Sequence, residues 1–412
     1  MGPPGFRDRE VAHRGGLGRL RPPSGRRGSS SRRPEPPGRR VPLPFCVTRV
    51  RLLLRDLLVD RDRPDLAALE RCEVPERFVW AVLPHAARTF SACIALLPAR
   101  LARASAVAYL YCRALDSCED LLPTAAEKID ALDAVCRRVA ALAEGAAPPP
   151  LPHLERARPS DARDEAHLLL LRHLDRVDAA FARMPDEVRR LVRDLVTRMA
   201  RGMAEAADAI ERQHGTLASS EQLLGYCRAV LGEPVRFAAR LVSLTRGTGA
   251  ELPPELEEDA MRAGEMIQLA NVTRDIEKDL RRGLAYHPAL RDDLGRDPAV
   301  DGALARRVRR VRSELLDLAL VRIPSYRRLV LALAPRRPSL VRGSAVLMLL
   351  FTDRYFRGCA ERAGRRPWGR RRSGLGLIAT ALGAALSPSM GDRVLDRVER
   401  SFLGAARPSR RG

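Results

Sequence analysis

Two acidic pairs constrain this chain more than anything else in its sequence. Asp116 and Asp120 stand four residues apart, as do Asp275 and Asp279, and each pair follows a mainly apolar run. On a helix, positions i and i+4 share a face, so each pair sets two carboxylates side by side. Like charges placed this way destabilise an isolated helix, and removing them from water costs more. A chain with two such stripes either leaves both in solvent or wraps its helices around a space that holds a cation. Magnesium suits such a space, because it takes hard oxygen ligands and commonly combines one or two carboxylates with substrate phosphates. A single Asp-x-x-x-Asp is common on solvated helices. Two of them, one flanked by amides, favour the cavity.

The neighbouring residues extend this reading. Arg113 lies one turn before Asp116 on the same face and suits a diphosphate oxygen. Gln268 and Asn271 continue the second stripe toward the helix N-terminus, each one turn apart. A diphosphate leaving group needs several positive charges around it, and two facing carboxylate pairs can hold Mg²⁺ ions there. Its departure leaves an allylic cation that an apolar cavity must keep from water.

The rest of the sequence reads as helix. Long stretches rich in Ala, Leu and Arg fall into about nine segments, apolar at i, i+3 and i+4, with no alternating strands and no fixed repeat. The breaks lie at Pro148 to Pro150, between Gly247 and Pro254, and in the loop from Tyr286 to Pro298. The expected fold class is all-α, a single helical bundle around a central cavity. Three regions are expected: a disordered Arg/Pro/Gly-rich extension (1–44), a helical domain (45–362), and a basic tail with a weakly hydrophobic segment (363–412). The extension superficially resembles a transit peptide, but its composition favours disorder or a wrongly placed start.

The formal charge of +22 suggests a nucleic-acid partner at first sight. Residues 1–44 carry +8 of it and residues 357–412 carry +9, so the body holds only +5. No nucleic acid is therefore expected as a partner. The uncharged stretch from Ser373 to Gly391 approaches the length of a membrane span, but Gly, Ala, Ser and Pro388 dilute it. Ordinary packing or a mobile tail is favoured, and peripheral association beside Arg370 to Arg372 stays open. The eight cysteines form no CxxC pair and no zinc spacing, which suits a reducing cytoplasm.

These motifs, taken in order, closely resemble those of the squalene/phytoene synthase family, the head-to-head prenyltransferases. The first is Arg113 to Asp120; the second is Gln268, Asn271, Arg274, Asp275 and Asp279. Ala87-Arg88-Thr89-Phe90 resembles the family's diphosphate-closing element. Met199, Gly202 and Met203, then Tyr226-Cys227 with Val230 and Gly232, and finally Arg342 to Arg354 follow in family order over roughly residues 75–350. The resemblance implies an isoprenoid-synthase-like bundle and a monomer acting on isoprenoid diphosphates, farnesyl or geranylgeranyl. It implies condensation through a cyclopropylcarbinyl diphosphate to a squalene- or phytoene-type product, with NADPH needed if the product is squalene. Asp116, Asp120, Asn271, Asp275 and Asp279 would be the Mg²⁺ ligands. Arg113, Arg274 and the family's catalytic tyrosine, Tyr226, would act in catalysis. Arg88, Thr89, Phe90, Gln268, Val230 and Gly232 would contact substrate.

The sequence departs from the family pattern at four places. Ala87 replaces a Ser, Lys278 a Glu, and Leu284 an Arg that precedes Tyr286-His287-Pro288; Val230 to Val235 is altered as well. Lys278 and Leu284 predict a weaker hold on a second diphosphate, and Glu233 predicts a charge near the cavity wall. Two alternatives remain. A terpene cyclase would show an Asn/Ser/Glu triad, which is missing, and a family member turned assembly scaffold would have lost the aspartates.

Overall fold

Helix signals in the sequence are matched by helix ends in the structure, a computed structural model that describes residues 59–60, 62–369 and 372–406. The extension at 1–44, with Arg370 and Arg371 of the basic cluster, lies outside the described residues. In chain order the helices are α1 (Leu66–Glu70), α2 (Pro75–Ala87), α3 (Thr89–Leu96), α4 (Ala99–Leu121) and α5 (Ala125–Ala143). Then come α6 (Ala162–Arg172), α7 (Leu174–Ala182), α8 (Asp186–Arg212) and α9 (Ser220–Cys227). A π-helical segment (Arg228–Gly232) runs from α9 into α10 (Glu233–Thr245), followed by α11 (Pro254–Arg281) and α12 (Gly302–Leu320). The last are α13 (Ile323–Leu333), α14 (Leu340–Arg362), α15 (Gly374–Leu386) and α16 (Pro388–Ala405).

Among the described residues there are sixteen α-helices, more than the nine segments expected, because several runs are cut where periodicity alone gives no warning. Arg88 takes a left-handed backbone (φ 49°, ψ −115°) and separates α2 from α3. His173 (φ −111°, ψ 31°) separates α6 from α7. Pro324 and Pro388 sit in the first turns of α13 and α16, where a missing N–H is harmless. No strand occurs among the described residues. A single parallel bridge between Thr216 and Ala285 ties the chain after α11 to the end of α8.

Two long helices dominate. α4 starts after Pro98 and stops before Pro123, and it buries Leu101, Val107, Leu110, Tyr111 and Leu115. α11 starts at Pro254 and ends ahead of Gly283, whose φ of 77° an L side chain resists. α11 is packed by α10, α12, α13 and α14, and α4 by α2, α5, α6 and α8. Each fully buried Leu or Val contributes about 1.5–3 kcal/mol, so this interior fixes both helices firmly.

The uncharged stretch near the C-terminus forms α15 and the start of α16, broken at Ser387. Its residues Leu377, Ile378 and Ala381, with Leu395 and Phe402 of α16, are buried in the core. Among the described residues no helix is long and apolar enough to cross a membrane.

The π segment meets α11 backbone to backbone. A Cβ on Gly264 would run into the N and Cα of Gly232 and the carbonyl oxygen of Leu231. Gly264→Ala is therefore expected to cost about 1–3 kcal/mol through overpacking. Denaturant unfolding of the variant checks this, and an unchanged midpoint would show that the two elements part more easily than their packing implies.

Candidate active site

α4 and α11 present their acidic stripes to one polar basin. Asp116 and Asp120 line it from α4, and Asp275 and Asp279 line it from α11. Asn271 and Gln268 lie on the same side of α11, with the Asn271 amide donating to Gln268 Oε1 at 3.0 Å. Burial pushes Asp116 up to about 6, with Asp120 adding to the push and Arg113 opposing it. Glu119 is raised to about 8 by burial and by Asp120 and Asp116. Asp279 is raised to about 7 by burial, Asp275 and Asp120. In each case burial and the neighbouring carboxylates outweigh the cations nearby.

Among the described residues no three His, Cys, Asp or Glu side chains converge into a ready-made metal cage. The donors are all hard oxygens, spread on two facing helices and open to further ligands. That set fits Mg²⁺, which fills its octahedron with water and phosphate oxygens.

Cations surround the carboxylates. Arg113 approaches Asp116 at 3.3 Å and donates to the Tyr109 hydroxyl at 3.2 Å. Arg274 grips both oxygens of Asp275, at 2.8 and 2.5 Å, and lies over the Tyr355 ring at 5.1 Å. Arg88 enters from the strained α2–α3 junction. Its pKa is lowered by burial and by Arg163 and Arg274. The Nε atoms of Arg113 and Arg163 are buried without a hydrogen-bond partner. Orphaned donors beside mutually repelling guanidiniums are the mark of an anion's place.

Tyr226 sits deeper. Its hydroxyl donates to Glu119 at 3.4 Å and accepts from Tyr286 at 3.4 Å, and the two rings stack with centroids 5.1 Å apart. The Thr216–Ala285 bridge holds the loop that carries Tyr286. Burial and Glu119 push the Tyr226 pKa well up, so the phenol keeps its proton.

Below the basin lies an apolar cavity of about 270 Å³, walled by residues such as Ile94, Leu101, Met199, Phe237, Leu329 and Met348. Basin and cavity share Phe90, Tyr109, Arg113, Asp116, Val230 and Gln268, so the polar mouth passes directly into the apolar interior.

The structure brings Arg88, Thr89, Phe90, Arg113, Asp116, Asp120, Tyr226, Val230, Gln268, Asn271, Arg274, Asp275 and Asp279 together at the basin. Gly232 is the exception. It lines neither space and is buried against α11, where its missing side chain allows the close approach. Glu233 stands beside the cavity wall without lining it: it pairs with Arg236 at 2.6 Å, while Pro234 and Val235 line the wall. Sequence reading missed Tyr109, Glu119, Arg163, His167, Arg282 and Tyr355 as basin residues. Tyr109 and Glu119 carried a signal in their spacing to Arg113 and Asp116. Arg163 and His167 carried none, because only the packing of α6 on α4 brings them there.

This is the all-α isoprenoid synthase fold. The chain belongs to the squalene/phytoene synthase family, whose profile matches residues 83–372. Its fold is similar to TcSQS solved with the ligand BPH1237 (TM-score 0.57, 16% identity, 81% of this chain and 93% of that one). TcSQS solved with E5700 gives a TM-score of 0.59 at 18% identity, over 82% of this chain and 93% of that one. The squalene synthase HpnC from Alicyclobacillus acidocaldarius gives 0.45 at 21% identity, over 71% and 95%. No curated protein matches the chain in sequence.

The crowded carboxylates set a pH signature. A carboxyl whose folded pKa is above its unfolded value of about 4 stabilises the fold most at low pH, and that share is lost as pH rises through the folded value. For Asp116, Glu119 and Asp279 the loss is spread from about pH 4 to about pH 8. Metal-free protein should therefore melt lower at about pH 8 than at about pH 5.5, and Asp116→Asn should raise the melting temperature at about pH 8. Thermal scans in chelator test this; a variant that melts lower than wild type at the higher pH would contradict it.

Proposed function

We propose that the chain joins two isoprenoid diphosphates head to head in a magnesium-dependent reaction, through a cyclopropylcarbinyl diphosphate. The observation that carries this reading is the direct passage from carboxylate basin to apolar cavity. A diphosphate seated among Arg88, Arg113 and Arg274 places its prenyl chain against Phe90, Val230 and the walls beyond. Mg²⁺ held by Asp116, Asp120, Asn271, Asp275 and Asp279 would supply Lewis-acid polarisation of the leaving diphosphate oxygens.

The chain's own groups divide the remaining work. The three arginines bind and orient the diphosphate through charge-assisted hydrogen bonds. Arg274 must release Asp275 as it turns to phosphate, so anion binding and exposure of that carboxylate go together. The apolar walls exclude water from the allylic cation. Tyr226 holds its proton at Oη between Glu119 and Tyr286, within the basin, ready to donate to a departing oxygen. All four aspartates are retained, which supports catalysis over a scaffold role. On α15, Leu375, Leu382 and Leu386 fall on one exposed stripe, which supports peripheral contact with a membrane able to receive a hydrocarbon product.

Incubation with C15 and C20 diphosphates, with and without NADPH, followed by hydrocarbon analysis, tests the reading and identifies the product. Asp116→Asn and Asp275→Asn should each lower turnover by at least about 100-fold at saturating Mg²⁺, the scale of losing a key electrostatic group. If the wild-type protein consumes neither diphosphate, the proposed function fails.

A further inference from the structure

The α11 side of the basin carries more positive charge than two carboxylate pairs built for metal would suggest. Six cationic side chains line the basin, Arg88, Arg113, Arg163, Arg274, Lys278 and Arg282, against five carboxylates. Lys278 stands between Asp275 and Asp279 in sequence, where the resembling family usually has Glu. Arg282, the C-terminal cap of α11, reaches across to Asp120 of α4 at 3.5 Å and to Asp164 of α6 at 3.8 Å. Asp164 is itself fixed by the Ser160 N–H at 3.0 Å and the Ser160 hydroxyl at 2.5 Å, so Arg282 is held over the basin. Arg163, one residue before Asp164, lines the same wall with its Nε buried and unpartnered.

Leu284, which occupies the position of the family's arginine, is not among the residues lining the basin. It lines a small neighbouring pocket with Ile276 and Leu290. A guanidinium is nonetheless present at the basin two residues earlier, where Arg282 caps the helix. An ammonium and a guanidinium beside Asp120 and Asp279 repel a further Mg²⁺ by ordinary Coulomb interaction. The same groups attract phosphate oxygens and offer them N–H donors directly.

We propose that Lys278, Arg282 and Arg163 bind the second diphosphate directly, doing with side-chain cations what an additional metal ion would otherwise do. This rests on the two-diphosphate reading above and deepens it. The chain trades one carboxylate for an ammonium at position 278, so diphosphate recognition on the α11 side is independent of metal.

The test is calorimetry of the full chain with inorganic diphosphate in chelator, beside Mn²⁺ titration in the presence of diphosphate followed by electron paramagnetic resonance. Wild type should bind diphosphate without metal. Lys278→Glu and Arg282→Leu should each weaken that binding by about 10-fold or more, the scale of one charge-assisted contact. Lys278→Arg should restore it, and Lys278→Glu should bind one more Mn²⁺ than wild type. Circular dichroism shows whether each variant keeps its helices; Lys278→Gln serves if the Glu variant does not. The clamp is overturned if wild type shows no metal-free binding, or if folded Lys278 and Arg282 variants bind as wild type does. Failure of the proposed function looks different: C15 and C20 diphosphates go unconsumed while metal-free binding still responds to both substitutions.

Discussion

Repulsion between carboxylates across a cavity is the constraint from which the rest of this structure follows. Asp116 and Asp120 face Asp275 and Asp279 because α4 and α11 are locked in place by apolar faces on their outer sides. Left to themselves, the two stripes would push the helices apart or draw protons. Arg113, Arg274 and Arg282 restrain them, each bound to one aspartate of the four. The basin is therefore a set of opposed charges held together by the packing behind it. Preorganised electrostatics act strongly in such an arrangement, and the main adjustment when the substrate's charge arrives is the exchange of Asp275 for phosphate at Arg274.

Packing elsewhere serves the same end. The meeting of Gly232 with Gly264 brings the π segment against α11, and the adjoining Val230 lines the passage between basin and cavity. The Thr216–Ala285 bridge fastens the loop whose Tyr286 stacks on Tyr226. α2 and α3 meet at Arg88, where a left-handed backbone turns that side chain into the mouth. Strain of this kind persists only where surrounding contacts over-determine it. Here it sits at an anion-binding side chain, as such strain often does at ligand clamps.

Much of this was legible in the sequence, because helical periodicity and i, i+4 spacing are local properties. The all-α class, the two acidic stripes and the companions Arg113, Gln268 and Asn271 all follow from residue spacing along one helix. What spacing cannot express is which helices become neighbours. Arg163 and His167 reach the basin because α6 packs on α4, and no pattern within α6 announces it. Gly232 was assigned to the substrate because its segment resembles the family's, whereas its work is at a helix–helix contact. Glu233 was expected near the wall, and spacing could not tell that its charge would be met by Arg236. The breaks at Arg88 and His173 were illegible for another reason, since neither residue is a helix breaker and tertiary packing imposes the change of direction.

The Arg274–Asp275 pair couples the two kinds of ion that the basin is built to take. With that carboxylate already gripped at 2.8 and 2.5 Å, the resting protein acts partly as its own counter-ion. Stray divalent ions find one of their intended oxygens engaged, and stray anions find one of their intended guanidiniums engaged. Each can displace only half of the pair, leaving the other half exposed without its mate. Metal and diphosphate arriving together satisfy both halves at once. At this pair the two ions thus assist one another, whereas the Lys278, Arg282 and Arg163 group proposed above takes a diphosphate with no metal beside it.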